Sequence, residues 1–352
     1  MKRVLGVIML ATLAACEPGT KDTVQVGYRG VAQEINYDRS SQKEIAAANV
    51  APAPLPPASE PSPPVKWQNV QVLTDVSANE MTRTMIAMTN WVSPKQGCNY
   101  CHNPANFASD EKYTKVTARR MLEMTRYVNS EYKAHVQGTG VTCYSCHRGN
   151  NIPQYGVWSF TDADQWRRAY LDRSDIRVQS ISVKPTPVNR SSVKQTENTY
   201  ALMMNVSSAL GVNCTFCHNS RAWASWQNAP PARITSLYGF RMVRDINSTY
   251  IASLNTVLPP NRLGVHKDAP KVSCITCHQG VNKPLLGAQM VKDYPALWGA
   301  PTWTRGGPSD TVSRGYTDFR EADSTTSDRA PILRPEFARP LPAPVPPKSG
   351  GN

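Results

Sequence analysis

A mainly α-helical chain with long irregular loops, assembled from a duplicated helix–turn–motif module, is what this 352-residue sequence predicts. Three observations lead there. Four segments carry apolar residues at helical spacing, and each is closed by Gly or Pro and followed by a Cys pair. Those segments align with one another in two sets. The chain also holds 29 prolines with only 18% charged residues, so long stretches read as loop, while 40% hydrophobic residues suffice to build a core.

The chain opens with Met1-Lys2-Arg3, a short positive region, and an apolar run from Val4 to Ala15. This reads as a secretory signal, too short to span a bilayer. It ends in Leu13-Ala14-Ala15-Cys16, which matches a bacterial lipoprotein box. Cys16 stands outside every Cys pair, and lipidation explains a lone thiol on an exported chain. A membrane lipid anchor at Cys16 is therefore expected, with residues 1–15 as its signal peptide. Residues 16–66 form an N-terminal segment whose part 51–65 holds seven prolines and reads as a poorly packed linker.

The first helical segment places Met81, Met85 and Met88 before Trp91. The second runs from Ala118 to Val136, the third from Tyr200 to Leu210 and the fourth from Leu237 to Leu254. Met124 to Tyr132 aligns with Met242 to Tyr250 without a gap, and Val141-Thr142-Cys143 matches Val272-Ser273-Cys274. Segments one and three match through Met85 and Met203. Residues 67–150 and 197–282 are thus two copies of one module. Residues 151–196 connect them, 283–322 form a C-terminal segment, and 323–352 are a Pro-rich tail.

Eight of the nine cysteines fall in four pairs, each followed by His: Cys98, Cys101 and His102; Cys143, Cys146 and His147; Cys214, Cys217 and His218; Cys274, Cys277 and His278. Four disulfides or two four-thiolate zinc sites would use the cysteines but leave the trailing His unexplained. Cys-x-x-Cys-His is the attachment signature of c-type haem: the thiols bond the macrocycle and the His ligates the iron. The module therefore carries two haems, and the chain is a multihaem cytochrome c with four haem c groups.

Only His135 and His266 lie outside the motifs, so at most two haems have two His ligands, and the others need Met or an open position. Met85, Met121 and Met203 are the candidate sixth ligands, since Met/His is a known c-type pairing; Met81, Met88, Met124, Met204 and Met242 read as core filler. Met121 aligns with Gly239, so the fourth motif lacks that methionine. His135, 14 residues beyond Met121 on the same predicted helix, is placed to serve a different haem, and His266 in the loop Asn261–Lys271 is a weaker candidate.

The words Met85…Gly97-Cys98-x-x-Cys101-His102, Arg119-Arg120-Met121-Leu122-Glu123-Met124-Thr125-Arg126, Gly140-Val141-Thr142-Cys143-x-x-Cys146-His147-Arg148-Gly149, Ala201-Leu202-Met203-Met204 and Asn213-Cys214-Thr215-Phe216-Cys217-His218-Asn219 resemble the tetrahaem cytochrome subunit of the purple bacterial photosynthetic reaction centre. The resemblance spans roughly residues 20 to 320. It implies Met/His ligation of the first three haems, by Met85, Met121 and Met203, and a bis-His fourth haem with His135. It implies a mainly helical fold on the periplasmic face of the photosynthetic inner membrane, seated on the reaction-centre subunits that carry the bacteriochlorophyll special pair. Electrons would pass to the photo-oxidised pair. The third motif's haem would lie nearest that pair, and the first would face a soluble donor, a small cytochrome c or a high-potential iron–sulfur protein. The resemblance gives no role to His266 or to the Pro-rich tail, which is free to meet reaction-centre or light-harvesting antenna subunits.

Competing functions follow from the same counts. A multihaem enzyme needs an open iron position, and four filled positions leave none, so an electron carrier without substrate chemistry is expected. A tethered respiratory carrier differs only in partner. The net charge of +13 comes from scattered basic residues without a Lys/Arg run of five, so no nucleic acid is expected as partner.

Overall fold

The structure, a computed structural model, describes residues 21–26, 33–59, 67–156, 193–223 and 225–299. The signal peptide, Cys16, most of the 151–196 connector and the Pro-rich tail lie outside the described residues.

The chain is mainly helical, as expected. It adds one antiparallel hairpin that the sequence reading did not include: β1, Lys21–Val26, pairs with β2, Gln33–Asp38, with Lys21 opposite Asp38 and Val26 opposite Gln33. The β-branched Thr23, Val24, Val26 and Ile35 favour this pairing. Helix α1, Arg39–Ala48, follows directly.

Helix α2, Ala78–Val92, starts at Ser77, whose side chain accepts from the Glu80 amide, and Glu80 adds a favourable charge to the first turn. Met81, Ala87 and Trp91 form its buried stripe. Helix α3, Tyr113–Glu131, breaks at Tyr132, and α4, Lys133–Val136, is a separate single turn. Met121 and His135 therefore do not share a helix as expected. The backbone of Tyr132 leaves the helical region, at φ −108° and ψ 30°, while its hydroxyl is drawn to Asp245 of a distant helix.

Helix α6, Val193–Leu210, begins earlier than the sequence pattern suggested; α5, Cys143–His147, precedes it. Helix α7, Ala232–Asp245, continues through a π-helical turn, Ile246–Ile251, and α8 is Cys274–His278. Met81 and Met242 are buried and Met88 and Met124 half-buried, but Met204 is 47% exposed and fills no core.

The apolar interior is divided. One cluster joins Leu73, Met81, Trp91, Leu122 and Cys143 to Val291, Tyr294 and Leu297; another joins Val128, Tyr132 and Val136 to Met242, Ile246 and Leu254. The C-terminal segment thus returns to the first half. Tyr294 packs edge-on against Trp91 at 4.7 Å and under the Arg83 guanidinium at 4.3 Å. Its hydroxyl accepts from the Leu55 amide at 3.0 Å, and Arg83 donates to Pro56 O, Leu55 O and Asp293 O. Residues 51–59 are therefore a docked strap and not a loose linker. A proline-rich chain has no internal hydrogen bonds, and the buried Arg83 supplies donors to its carbonyls.

Matching hydrogen bonds recur at the aligned positions. Asn129 donates to Val141 O (2.9 Å) and accepts from Val141 N (2.7 Å); Asn247 does both with Val272 at 2.8 Å. The Gly149 amide donates to Trp91 O, and the Gly280 amide donates to Ala209 O, each at 2.8 Å.

Candidate functional site

The four motifs adopt two backbone frames. Motifs two and four are short α-helices, α5 and α8. The amides of Thr142 and Ser273 donate to Ser145 Oγ and Thr276 Oγ1 at 3.0 Å, a capping-box arrangement set by a Ser/Thr before the first Cys and another before the second. After the His the chain turns left-handed, at φ 48° for Arg148 and 49° for Gln279, and a glycine follows at φ 80° or 87°. Motifs one and three have Tyr100 and Phe216 where the second hydroxyl would stand. They form 3₁₀ turns, Gly97–Tyr100 and Cys214–Phe216.

Each motif imidazole is tied at one nitrogen. Nδ1 of His102 lies 3.3 Å from Phe107 O, that of His147 2.9 Å from Asn150 O, that of His218 3.2 Å from Trp223 O and that of His278 2.9 Å from Val281 O. A carbonyl only accepts, so Nδ1 carries the proton and Nε2 keeps its lone pair for a metal. Burial holds all four below the ordinary imidazole pKa, and His278 falls to about 4 through burial and then the neighbouring His135. All are neutral near pH 7, the state that ligates metal.

His135 repeats the pattern outside a motif. Its Nδ1 donates to Thr235 O at 2.9 Å, and burial lowers its pKa. Its ring centre stands 6.1 Å from that of His278. Two imidazoles sharing one metal through bonds of about 2 Å have ring centres roughly 6 Å apart, so the pair fits a bis-His iron. The seat for His135 is Gly239: a Cβ added there would meet His135 Cε1 at 2.5 Å and Nδ1 at 2.8 Å. The position that matches Met121 is thus filled, in the other half, by the ring of His135.

Motifs two and four meet. Cys146 Sγ lies 2.8 Å from Cys277 Sγ, and Arg148 donates to Cys277 O at 3.1 Å and Asn49 Oδ1 at 3.2 Å. Asn49, which is buried, donates to Gln279 O, so the end of α1 seals this junction. Sequence reasoning missed Asn49, whose partner is 230 residues away. All eight described cysteines are free of disulfides, and burial pushes Cys143 and Cys274 up to about 12 and Cys101 to about 11. Among the described residues no group of three or more His, Cys, Asp or Glu is placed for a bare metal ion. Two thiols three residues apart on one short helical turn, followed by a histidine tied at Nδ1, suit covalent haem attachment.

Met85, Met121 and Met203 are half-buried on α2, α3 and α6, each packed against a core cluster. Among the described residues, His135 and His278 are the histidine pair in ring contact. His266 is exposed in its loop.

The sequence profile of the photosynthetic reaction centre cytochrome C subunit family matches residues 17–174 and 161–298. The chain belongs to that family. It is similar to the photosynthetic reaction center cytochrome c subunit of Thermochromatium tepidum, 46% identical over 320 residues that cover 83% of this chain and 79% of that protein. The subunits of the same description from Rubrivivax gelatinosus and Roseobacter denitrificans are 43% and 34% identical, over 84% of this chain and 89% and 91% of theirs. A reaction centre cytochrome c subunit binds haem c, works in photosynthetic electron transfer and is membrane-associated. No helix among the described residues is long and apolar enough to cross a membrane.

Proposed function

We propose that this cytochrome subunit relays electrons, over four c-type haems, from a soluble periplasmic donor to the photo-oxidised bacteriochlorophyll special pair, with no substrate chemistry of its own. The observation that carries the reading is the facing pair His135 and His278 over Gly239, which supports two axial ligands for one of the proposed haems. Bound haem iron supplies reversible one-electron oxidation and reduction.

The chain's residues hold and tune the groups. The four Cys pairs anchor them, and His102, His147, His218 and His278 are the proximal ligands, each oriented by its Nδ1 hydrogen bond. Met85, Met121 and Met203 are the sixth ligands of the first three haems. A thioether raises the potential relative to imidazole, so one haem differs from the other three. The matching clamps of Asn129 and Asn247 support a duplicated two-haem module over 67–150 and 197–282. The contact of Cys146 with Cys277 supports motifs two and four at the middle of the relay and motifs one and three at its ends. Cys16 anchors the chain by lipid on the periplasmic face, against the reaction-centre membrane subunits.

Flash spectroscopy on native membranes tests the reading. Haem α-band oxidation after each flash, matched in time by re-reduction of the special pair, is the expected result. Haems that stay reduced while the pair stays oxidised would overturn it and leave a respiratory carrier.

A further inference from the structure

Two aromatic side chains stand apart from every core cluster. Phe107 is 57% exposed and Trp223 is 48% exposed. Each ring packs on a motif histidine: Phe107 on His102 at 5.0 Å and 24°, Trp223 on His218 at 5.3 Å and 42°. Each backbone carbonyl accepts from Nδ1 of the same histidine. One residue therefore holds its imidazole twice, at the edge by hydrogen bond and on the face by contact.

The arrangement follows from a local pattern, Cys-His-Asn-x-x-x-aromatic, at 101–107 and 217–223. Asn103 Oδ1 accepts from the Ala105 amide at 2.9 Å, and Asn219 Oδ1 accepts from the Arg221 amide at 3.0 Å, which turns both loops back over the histidine. Motifs two and four close differently. Their sequence is Cys-His-x-Gly-x-Asn, and the accepting carbonyl comes only three residues after the His.

We infer that Phe107 and Trp223 are positioning residues that fix the proximal imidazoles of the first and third haems and keep water off them. This rests on the four-haem reading above. The hydrogen bond on Nδ1 and the apolar shell around a ligand set its basicity and the potential of its metal. An exposed imidazole face admits water, which favours the oxidised, more highly charged state. Loss of either ring therefore lowers the potential of one haem. Among the described residues no Phe or Trp ring packs on His147 or His278, so the second and fourth haems serve as controls within the same molecule.

The test uses the intact cytochrome–reaction centre complex in native membranes, with Phe107→Leu and Trp223→Leu. The haemochrome spectrum first counts haems, then redox titration of the resolved α-bands and low-temperature EPR follow. At fixed ambient potential, the reduced-to-oxidised ratio of the matching haem should fall several-fold, and its low-spin ferric signal should shift. The other three should not move. Phe107→Tyr and Trp223→Phe should restore both readouts. Unchanged potentials, equal shifts at all four haems, or leucine variants that behave as the aromatic ones do would overturn the inference. If a leucine variant fails to accumulate, Phe107→Met and Trp223→Met carry the same comparison. Failure of the four-haem reading itself is visible separately, in the wild-type haem count.

Discussion

Motifs two and four differ from motifs one and three although all share five-residue Cys-x-x-Cys-His words. The even motifs are capped α-turns, clamped by Asn129 and Asn247, and they meet at Cys146 and Cys277. The odd motifs are 3₁₀ turns whose histidines are held by an exposed aromatic loop. The signature thus specifies attachment and leaves the environment open. What surrounds it is decided by two hydroxyls on one side and an Asn turn on the other.

The largest effect that sharpens this comparison is loss of the even-motif partner ligand. His135→Ala should leave all four haems attached and open one iron position. A carbon monoxide difference spectrum should then show one binding haem where the parent shows none, and the potential of that haem should move alone. Binding by the parent would break the comparison.

Gly239→Ala should reproduce that signature in weaker form. Alanine favours a helix interior over glycine by about 1 kcal/mol, so the helix itself gains. The added Cβ nevertheless overlaps His135 Cε1 at 2.5 Å. A variant that is thermally as stable as the parent but altered in one haem spectrum is the expected outcome. An unaltered spectrum would show that His135 does not depend on this seat.

The clamps come next. Asn129→Ala and Asn247→Ala each strand a part-buried backbone donor and acceptor, which costs up to about 1–3 kcal/mol per unsatisfied group. Asn129 also donates to Leu297 O at 2.9 Å, so its replacement should be the more damaging. Denaturant midpoints measure the difference, and equal losses would deny the C-terminal segment a role in the first half.

The smallest effect is electrostatic. Arg126 is buried and pairs with Asp75 at 2.5 and 2.9 Å, which holds the Asp75 carboxyl below its ordinary value. A lowered carboxyl pKa stabilises the fold above the unfolded value of about 3.9, and the benefit is lost as pH falls through the folded value. Asp75→Asn should lower the melting temperature near pH 7 and approach the parent in acid. Asp75 is half-exposed, so the difference should be small.

Much of the site was legible because its determinants are local. Ser/Thr at the positions flanking the first Cys pairs with the next hydroxyl three residues on, and Asn after the motif His turns the loop within two residues. The role of Phe107 and Trp223 was equally available in Cys-His-Asn-x-x-x-aromatic, but spacing alone does not show stacking. The break at Tyr132 was not legible, since an apolar stripe continues across it and the force that ends the helix comes from Asp245.

By itself the sequence determined the four Cys-x-x-Cys-His words, the helices before them and the absence of a methionine at 239. These depend on contacts within a few residues, where backbone geometry leaves few choices. Only the tertiary structure decided that His135 reaches His278, that motifs two and four join, and that the strap 51–59 and the segment around Tyr294 close over α2. His135 finds Thr235 across 100 residues and Leu55 finds Tyr294 across 239. Such partners are chosen by the packing of whole helices, and no local pattern encodes them.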